Sequence, residues 1–316
     1  MYKKLLVSGM AASLLIVGVA HSASAAKEFK LKEEIFLQGA DLNDKQLVET
    51  KDKLGVGRGV TTYPVTNVDV IQYTGTEYDY IHSSALIKPK RFGHGVDVEI
   101  ETPNNITRIT KEQYMNAAIT SGIQDATIRI ASIDPVTGEG ALTGIYKAYE
   151  AQGNALNRED VQNAHSEMNE LARISESHAS TNGYSDEALN EAIADMKSQI
   201  AEATASNQQI NELTINNIVN QTLNERGLNQ VLSNNEIAVI QNIMMNVAQS
   251  DVLKQDPESF KQQANELRDS IQKHAGDKLD ALKELDNPET RGWLQSIWDN
   301  IVSLITRIWH WLVSFV

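Results

Sequence analysis

The sequence predicts an α+β fold: a small helix-covered sheet, then an all-α helical part, then a C-terminal amphipathic helix. Three observations carry that expectation. Helix and strand signals alternate up to about residue 150, strand signals vanish from Asn154 onward, and all four tryptophans lie within Gly292–Val316. Strands that alternate with helices need helical cover for one small sheet, whereas purely helical spacing describes a bundle. The expected organisation is a signal peptide over 1–26, an α/β domain over 27–153, a helical domain over 154–287 and a Trp-rich tail helix over 288–316.

Lys3 and Lys4 form a basic start, Leu5–Ala20 an apolar run, and Ala23-Ser24-Ala25 a small-residue cleavage box. This is the pattern of a secretory signal peptide, with cleavage after Ala25 or Ala26. The chain has no cysteine. That excludes a disulfide, a thiolate metal site and a cysteine nucleophile. Export without disulfides suits a bacterial envelope.

Asn43–Leu54 reads as a helix, because Asn43 and Gln46 form a capping box and Gly55 stands at the stop position. Ser84–Ile87 and Val96–Ile100 read as two strands joined by a turn around Pro89–Gly95. Thr110–Ser121 is a second capped helix, with Gln113 as the box partner and Gly122 as the stop. Thr127–Ser132 alternates like a strand, and Gly140–Glu150 is a third helix. The two similar caps, each followed by a glycine and a β-branched residue, hint at a duplicated helix–strand unit.

Beyond Asn154 the apolar residues recur at helical spacing: Val161, Ala164, Met168 and Leu171; Leu189, Ile193, Met196 and Ile200; Ile237, Ile240, Met244 and Val247; Phe260, Ala264, Leu267 and Ile271. Ser185, Ser233 with Glu236, and Asp256 before Pro257 serve as caps. Gly183, Gly227 and Gly276 are expected to mark ends. The outer faces are rich in Asn, Gln and Glu, as in the run Asn216, Asn217, Asn220, Gln221 and Asn224. A solvated face explains that run better than an amide-lined glycan or peptide surface. Asn287-Pro288 separates the bundle from the tail.

In the tail, Trp293, Trp298, Ile301, Ile305, Ile308, Trp309, Trp311, Leu312 and Phe315 fall on one helical side, together with Leu294, Ile297 and Leu304. Asp299, Arg307, His310 and the remaining polar residues take the other, over an arc of about 140°. A bilayer span needs about 20 predominantly apolar residues, and Asp299, Arg307 and His310 interrupt this one. In-plane membrane association is the first expectation. Tail-mediated oligomerisation, or docking in a groove of the same protein, is the second, and spanning the third.

The formal net charge is −14. By segment it is roughly −4 over 27–154, roughly −13 over 155–290 and roughly +1 in the tail. An acidic body does not suit nucleic acid, and anionic lipid heads repel it. Attachment to a membrane must then come from apolar burial.

Several residues could carry chemistry. Thr137, Gly138, Gly140 and Gly144 follow a strand and open a helix, the setting of a phosphate cradle, although the spacing is one residue off. A tight turn and close helix–sheet packing account for them better, with Thr137 as a cap. Asp97, Glu99 and Glu101 alternate along one strand and share a face. Such a row can hold a cation or a basic partner or serve as acid and base, but also protects an edge strand. The histidines form no H-x-x-x-H or H-E-x-x-H pair, so solvated surface histidines and no metal site are expected. His165, Glu167 and Glu170 cannot share a helix face. Ser83 and Ser84 read as strand-start residues. No cofactor is called for.

Gly39-Ala40-Asp41-Leu42 before Gln46, Ile109-Thr110 with Tyr114-Met115-Asn116-Ala117, and Val136-Thr137-Gly138-Glu139-Gly140-Ala141-Leu142-Thr143-Gly144-Ile145 followed by Lys147-Ala148-Tyr149-Glu150 form a recognisable set. It resembles domain-of-unknown-function family 1002, the YpuA-like secreted proteins of Gram-positive bacteria, over residues 35–150 and more loosely to about 285. The resemblance implies export and an envelope setting. It implies no reaction, and no catalytic residue carries over.

The sequence thus favours a non-enzymatic binding or structural protein of the cell envelope, peripheral on the outer face of the cytoplasmic membrane. An enzyme of wall polymers, using Asp97 and Glu99 with the Gly138–Gly144 loop, is the alternative. A tail-mediated homo-oligomer is another.

Overall fold

The structure, a computed structural model, describes residues 31–284. The expected signal peptide and Trp-rich tail lie outside the described residues. The first half runs β1 (Ile35–Gly39), α1 (Asp44–Leu54), β2 (Thr61–Val65), α2 (Asn67–Thr74), β3 (Ser84–Pro89), β4 (Val96–Ile100), α3 (Lys111–Thr120), β5 (Ala126–Ala131) and α4 (Glu139–Ala151). The second half is helical: α5 (Arg158–His178), α6 (Asp186–Ala205), α7 (Glu212–Glu225), a 3-10 turn at Leu228–Gln230, α8 (Asn234–Gln249), α9 (Asp251–Gln255) and α10 (Pro257–Glu284). The α+β class is therefore as the sequence predicts.

Caps start the helices where the sequence places them. Asn43 with Gln46, Thr110 with Gln113 and Ser233 with Glu236 each form a reciprocal box, in which side chain and backbone satisfy each other's free donors. Ser185 caps α6, and the Asp256 carboxylate accepts from Ser259 N at 2.9 Å beside Pro257 at the first helical position. Gly55 closes α1 in the left-handed conformation, φ 68°. A fourth box, Thr66 with Asp69, starts α2, an element the sequence reading omits. It also omits β1 and β2, which are only five residues each and show no alternation long enough to register.

The expected hairpin between β3 and β4 does not form. The sheet order is β2-β1-β3-β5-β4, with β5 inserted between them. β5 is antiparallel to β3 and parallel to β4, with Val98 opposite Ile128 and Ile100 opposite Ile130. Burial explains the exchange. β5 carries the buried residues Ala126, Ile128, Ile130 and Ala131 and takes an interior position, whereas β4 exposes Asp97 and Glu99 and stays at the edge. α1 and α3 each link two parallel neighbours, β1 to β2 and β4 to β5.

Strand alternation sorts the core. Phe36, Leu86 and Ala131 face α1 and pack with Leu54, Leu47 and Val56. Ile35, Leu37, Ala85, Ile87, Ile128 and Ile130 face the other way, toward Tyr114 of α3 and Ile145 of α4. That second cluster continues without a break through Met168, Leu189, Ile240 and Phe260, so the sheet part and the helical part share one core. α10 buries Phe260, Leu267, Ile271 and Leu279, each worth roughly 1.5–3 kcal/mol before entropy is charged against it. Its chief partner is α6.

Gly276 does not end a helix. It lies inside α10, because Ala275 and Leu279 on either side keep the apolar stripe seated. A Cβ at Gly276 would meet nothing within 4 Å, whereas one at Gly144 would come within 2.9 Å of Val65 Cγ2 and 3.2 Å of Leu37 Cβ. The two glycines should respond oppositely. Gly276→Ala is expected to stabilise by about 0.5–1 kcal/mol through helix propensity, and Gly144→Ala to destabilise by about 1–3 kcal/mol through overpacking. Urea midpoints of both variants check this, and a neutral Gly144→Ala would contradict the close helix–sheet contact.

Candidate functional site

Of the residues the sequence singled out, Trp293, Trp298, Ile301, Ile305, Ile308, Trp309, Trp311, Leu312 and Phe315 lie outside the described residues. The glycine run lies at the start of α4. Gly138, φ 116°, is the N-cap and makes no side-chain cap bond, so Thr137, which is exposed, is not the cap. The reason is local: a left-handed residue turns the chain into α4, and Tyr114 Oη donates to the Gly138 carbonyl at 2.6 Å. A Cβ at Gly138 would lie 2.5 Å from that oxygen, and one at Gly140 would lie 2.9 Å from Ser83 Oγ. Protein atoms therefore fill the space over these glycines.

Asp97, Glu99 and Glu101 do share a face. Lys90 Nζ stands 2.9 Å from Asp97, and Arg129 pairs closely with Glu101 and sits 3.6 Å from Glu99. Arg129 also donates to the Leu54 carbonyl at 2.5 Å, which ties the row to the end of α1. Ser84 opens β3, and its hydroxyl accepts from Gly39 N at 3.0 Å. Among the described residues, no group of three or more His, Asp and Glu side chains is placed to hold a metal ion.

The structure also assembles a polar constellation that the sequence did not reveal. Glu139, at the first position of α4, is 1% exposed, and Arg108 Nη1 donates to its Oε1 at 2.7 Å. Arg108 reaches Asn169 Oδ1 at 3.2 Å and Glu176 at 3.1 Å. Asn169 Nδ2 then lies 2.8 Å from His165 Nε2. Since that amide nitrogen can only donate, Nε2 accepts and the neutral imidazole carries its proton on Nδ1. Among the described residues, His165 Nδ1 and Glu139 Oε2 have no hydrogen-bond partner. A buried donor and a buried acceptor left open are the needs that a bound water or small polar ligand meets.

Burial, opposed by Glu139 and reinforced by Arg108, pulls His165 down to about 4. Burial, with Glu139 adding to it, pushes the Tyr78 phenol up to about 12.

A second buried group joins three helices. Lys197 Nζ stands 2.6 Å from Glu167 Oε1 and 2.7 Å from the Asn116 carbonyl, and Thr120 Oγ1 donates to Glu167 Oε2 at 2.6 Å. Burial lowers the Lys197 ammonium, and Glu167 opposes that. Glu236 is held at about 2: burial raises it, and the Ser233 N–H, His178 and the Ser233 and Ser177 hydroxyls overcome that rise.

The expectation of solvated surface histidines fails for three of them. His165 is 4% exposed, His178 Nε2 lies 3.1 Å from Glu236, and His82 Nδ1 lies 2.9 Å from Asp134. His178 and His82 gain partners from distant segments, which spacing along the chain cannot show, whereas His165 meets Asn169 one turn on in the same helix and is buried by packing. His165 and Glu167 do point to different sides, as the helical angle requires.

The family model described as "Protein of unknown function (DUF1002)" matches residues 38–267. A Bacillus subtilis (strain 168) relative, described as "Uncharacterized protein YpuA", is 27% identical over 319 residues, covering 99% of each chain. No solved structure matches the chain.

Two outcomes follow from the buried groups. Lys197→Met alone strands the Glu167 carboxylate and is expected to cost about 3–5 kcal/mol, most of which returns when Glu167→Leu is added. Equal urea midpoints for the single and double variants would contradict this. His165 is neutral in the fold while the unfolded imidazole binds a proton below its ordinary 6.5. Stability should therefore be full above pH 6.5 and fall by on the order of 3 kcal/mol as pH drops to about 4. His165→Gln should flatten that slope, which a pH series of urea titrations measures.

Proposed function

The chain belongs to the DUF1002 family of proteins of unknown function, and from there we propose an exported cell-envelope protein held at the membrane surface by its C-terminal segment, where it binds a partner. One observation carries the reading: the tail sequence places Trp293, Trp298, Trp309 and Trp311 opposite Asp299, Arg307 and His310 on a helical projection. The basic start, apolar run and Ala23-Ser24-Ala25 box support export in the same way. Within the described residues no helix is long and apolar enough to cross a membrane.

A binding role is preferred to wall-polymer chemistry on what the body does with its polar groups. Asp97 is ion-paired to Lys90, Glu99 lies near Arg129, and the Gly138–Gly144 run is filled by Tyr114, Ser83 and Val65. These are the residues an enzymatic reading would have used.

Mature protein recovered outside the cytoplasm is expected to begin at Ala26 or Lys27. Its tryptophan emission should shift to the blue on adding phospholipid vesicles, because every tryptophan lies in the tail. Binding should resist salt, since the tail has almost no net charge, and should be lost on truncation after Asn287 or with Trp298→Asp and Ile305→Asp together. Emission that is already blue and unmoved by vesicles would place the tail against protein and favour oligomerisation.

A further inference from the structure

The sheet has two edges, and among the described residues only one is closed. Parallel pairing directs alternate residues of an edge strand inward and the rest outward. In β2 the Val65 carbonyl bonds inward to Ala40 N, so Thr62 and Pro64 face out. Pro64 has no N–H to offer, and its carbonyl accepts from Lys147 Nζ at 2.8 Å. That edge is blocked in the way edge strands commonly are.

β4 is different. The Gly95 carbonyl accepts from Ala126 N, and Glu101 N donates to the Ile130 carbonyl, so the odd-numbered residues bond inward. The N–H and C=O groups of Val98 and Ile100 face outward, and none of the described residues bonds to them. Unpaired backbone groups remain costly until water or another chain satisfies them. Beside this edge runs a groove of about 480 Å³, lined by the buried Val98, Ile106 and Ile109, by Ile100 and Pro103, and by the polar Thr110, Lys111 and Glu112. On the opposite face of the same strand stand Asp97 and Glu99, their side chains 57% and 68% exposed.

We propose that the outer edge of β4 binds an extended segment of a partner protein by strand addition, and that this segment alternates apolar with basic residues. Main-chain bonds to Val98 and Ile100 supply the pairing. Alternation decides the rest: residues on the groove side meet Ile106 and Ile109, and their neighbours come beside Asp97 and Glu99. Three carboxylates on that face, Asp97, Glu99 and Glu101, outnumber the two cations Lys90 and Arg129. A second copy of the chain is disfavoured by the same row. Two β4 edges related by a two-fold axis would set Asp97 and Glu99 against each other, and like charges directly opposite destabilise a strand pair. The proposal does not depend on the tail or on membrane attachment.

The test uses the full mature chain and a fluorescein-labelled, capped peptide alternating valine with lysine. Anisotropy should report saturable binding. A valine–glutamate peptide should bind at least about tenfold more weakly, and so should one of the two valine–lysine peptides N-methylated on alternate residues, the one that keeps its charges and loses the main-chain donors facing β4. Glu99→Lys, at an exposed position, should weaken the valine–lysine peptide about fivefold to tenfold with an unchanged melting temperature. Amide resonances of Val98 and Ile100 should shift on titration. Binding that survives N-methylation of each alternate set in turn would mean charge attraction alone and would overturn the proposal. So would the absence of binding, or a dimer in solution that Glu99→Lys dissociates.

Discussion

The ion pair of Lys197 with Glu167 is the constraint on which the joining of the two halves rests. Their side chains are 0% and 1% exposed. Removing an ammonium and a carboxylate from water costs several kcal/mol each, and only close pairing with full hydrogen bonding offsets it. Here the Asn116 carbonyl and the Thr120 hydroxyl complete the set. The four residues come from α3, α5 and α6, so the requirement locks a helix of the sheet part to two helices of the bundle. Small displacements of α6 would leave a buried charge open. Such a group fixes geometry rather than adding much net stability.

Around that lock the sheet follows from burial. β1, β3 and β5 carry apolar residues on both faces and occupy the interior, while β2 with Pro64 and β4 with its carboxylates form the edges. α4 must lie close across β1 and β2, and its glycines permit that approach. Gly140 and Gly144 are the positions where a side chain would strike Ser83 and Val65. The run Val136–Ile145 thus packs closely at Gly138, Gly140 and Gly144, and it also delivers Glu139 to Arg108 beneath the surface.

Much of the fold was legible in the chain. Capping boxes at Asn43, Thr110 and Ser233 depend on residues three apart, so local chemistry names the helix starts. The apolar stripes of α5, α6, α8 and α10 are written at helical spacing for the same reason. β1, β2 and α2 were not legible, because five to eight residues hold too few periods to stand out. Asp97 and Glu99 were placed on one face correctly, since strand alternation is local, but Arg129 as their neighbour was not foreseeable from spacing.

By itself the sequence determined the class, the caps of α1, α3, α6, α8 and α10, the absence of thiol chemistry and the polarity of the β4 face. Each follows from composition or from residues a few positions apart. Tertiary structure alone decided that β5 separates β3 from β4, because sheet order depends on which strand buries more apolar surface among all competitors. It alone decided that α10 runs through Gly276, since Leu279 finds its partners in distant segments. It alone decided that His165 is buried and neutral, that Glu139 meets Arg108, and that Lys197 meets Glu167 across 30 residues of chain. Contacts between elements carry no local periodicity, and so no pattern along the chain announces them.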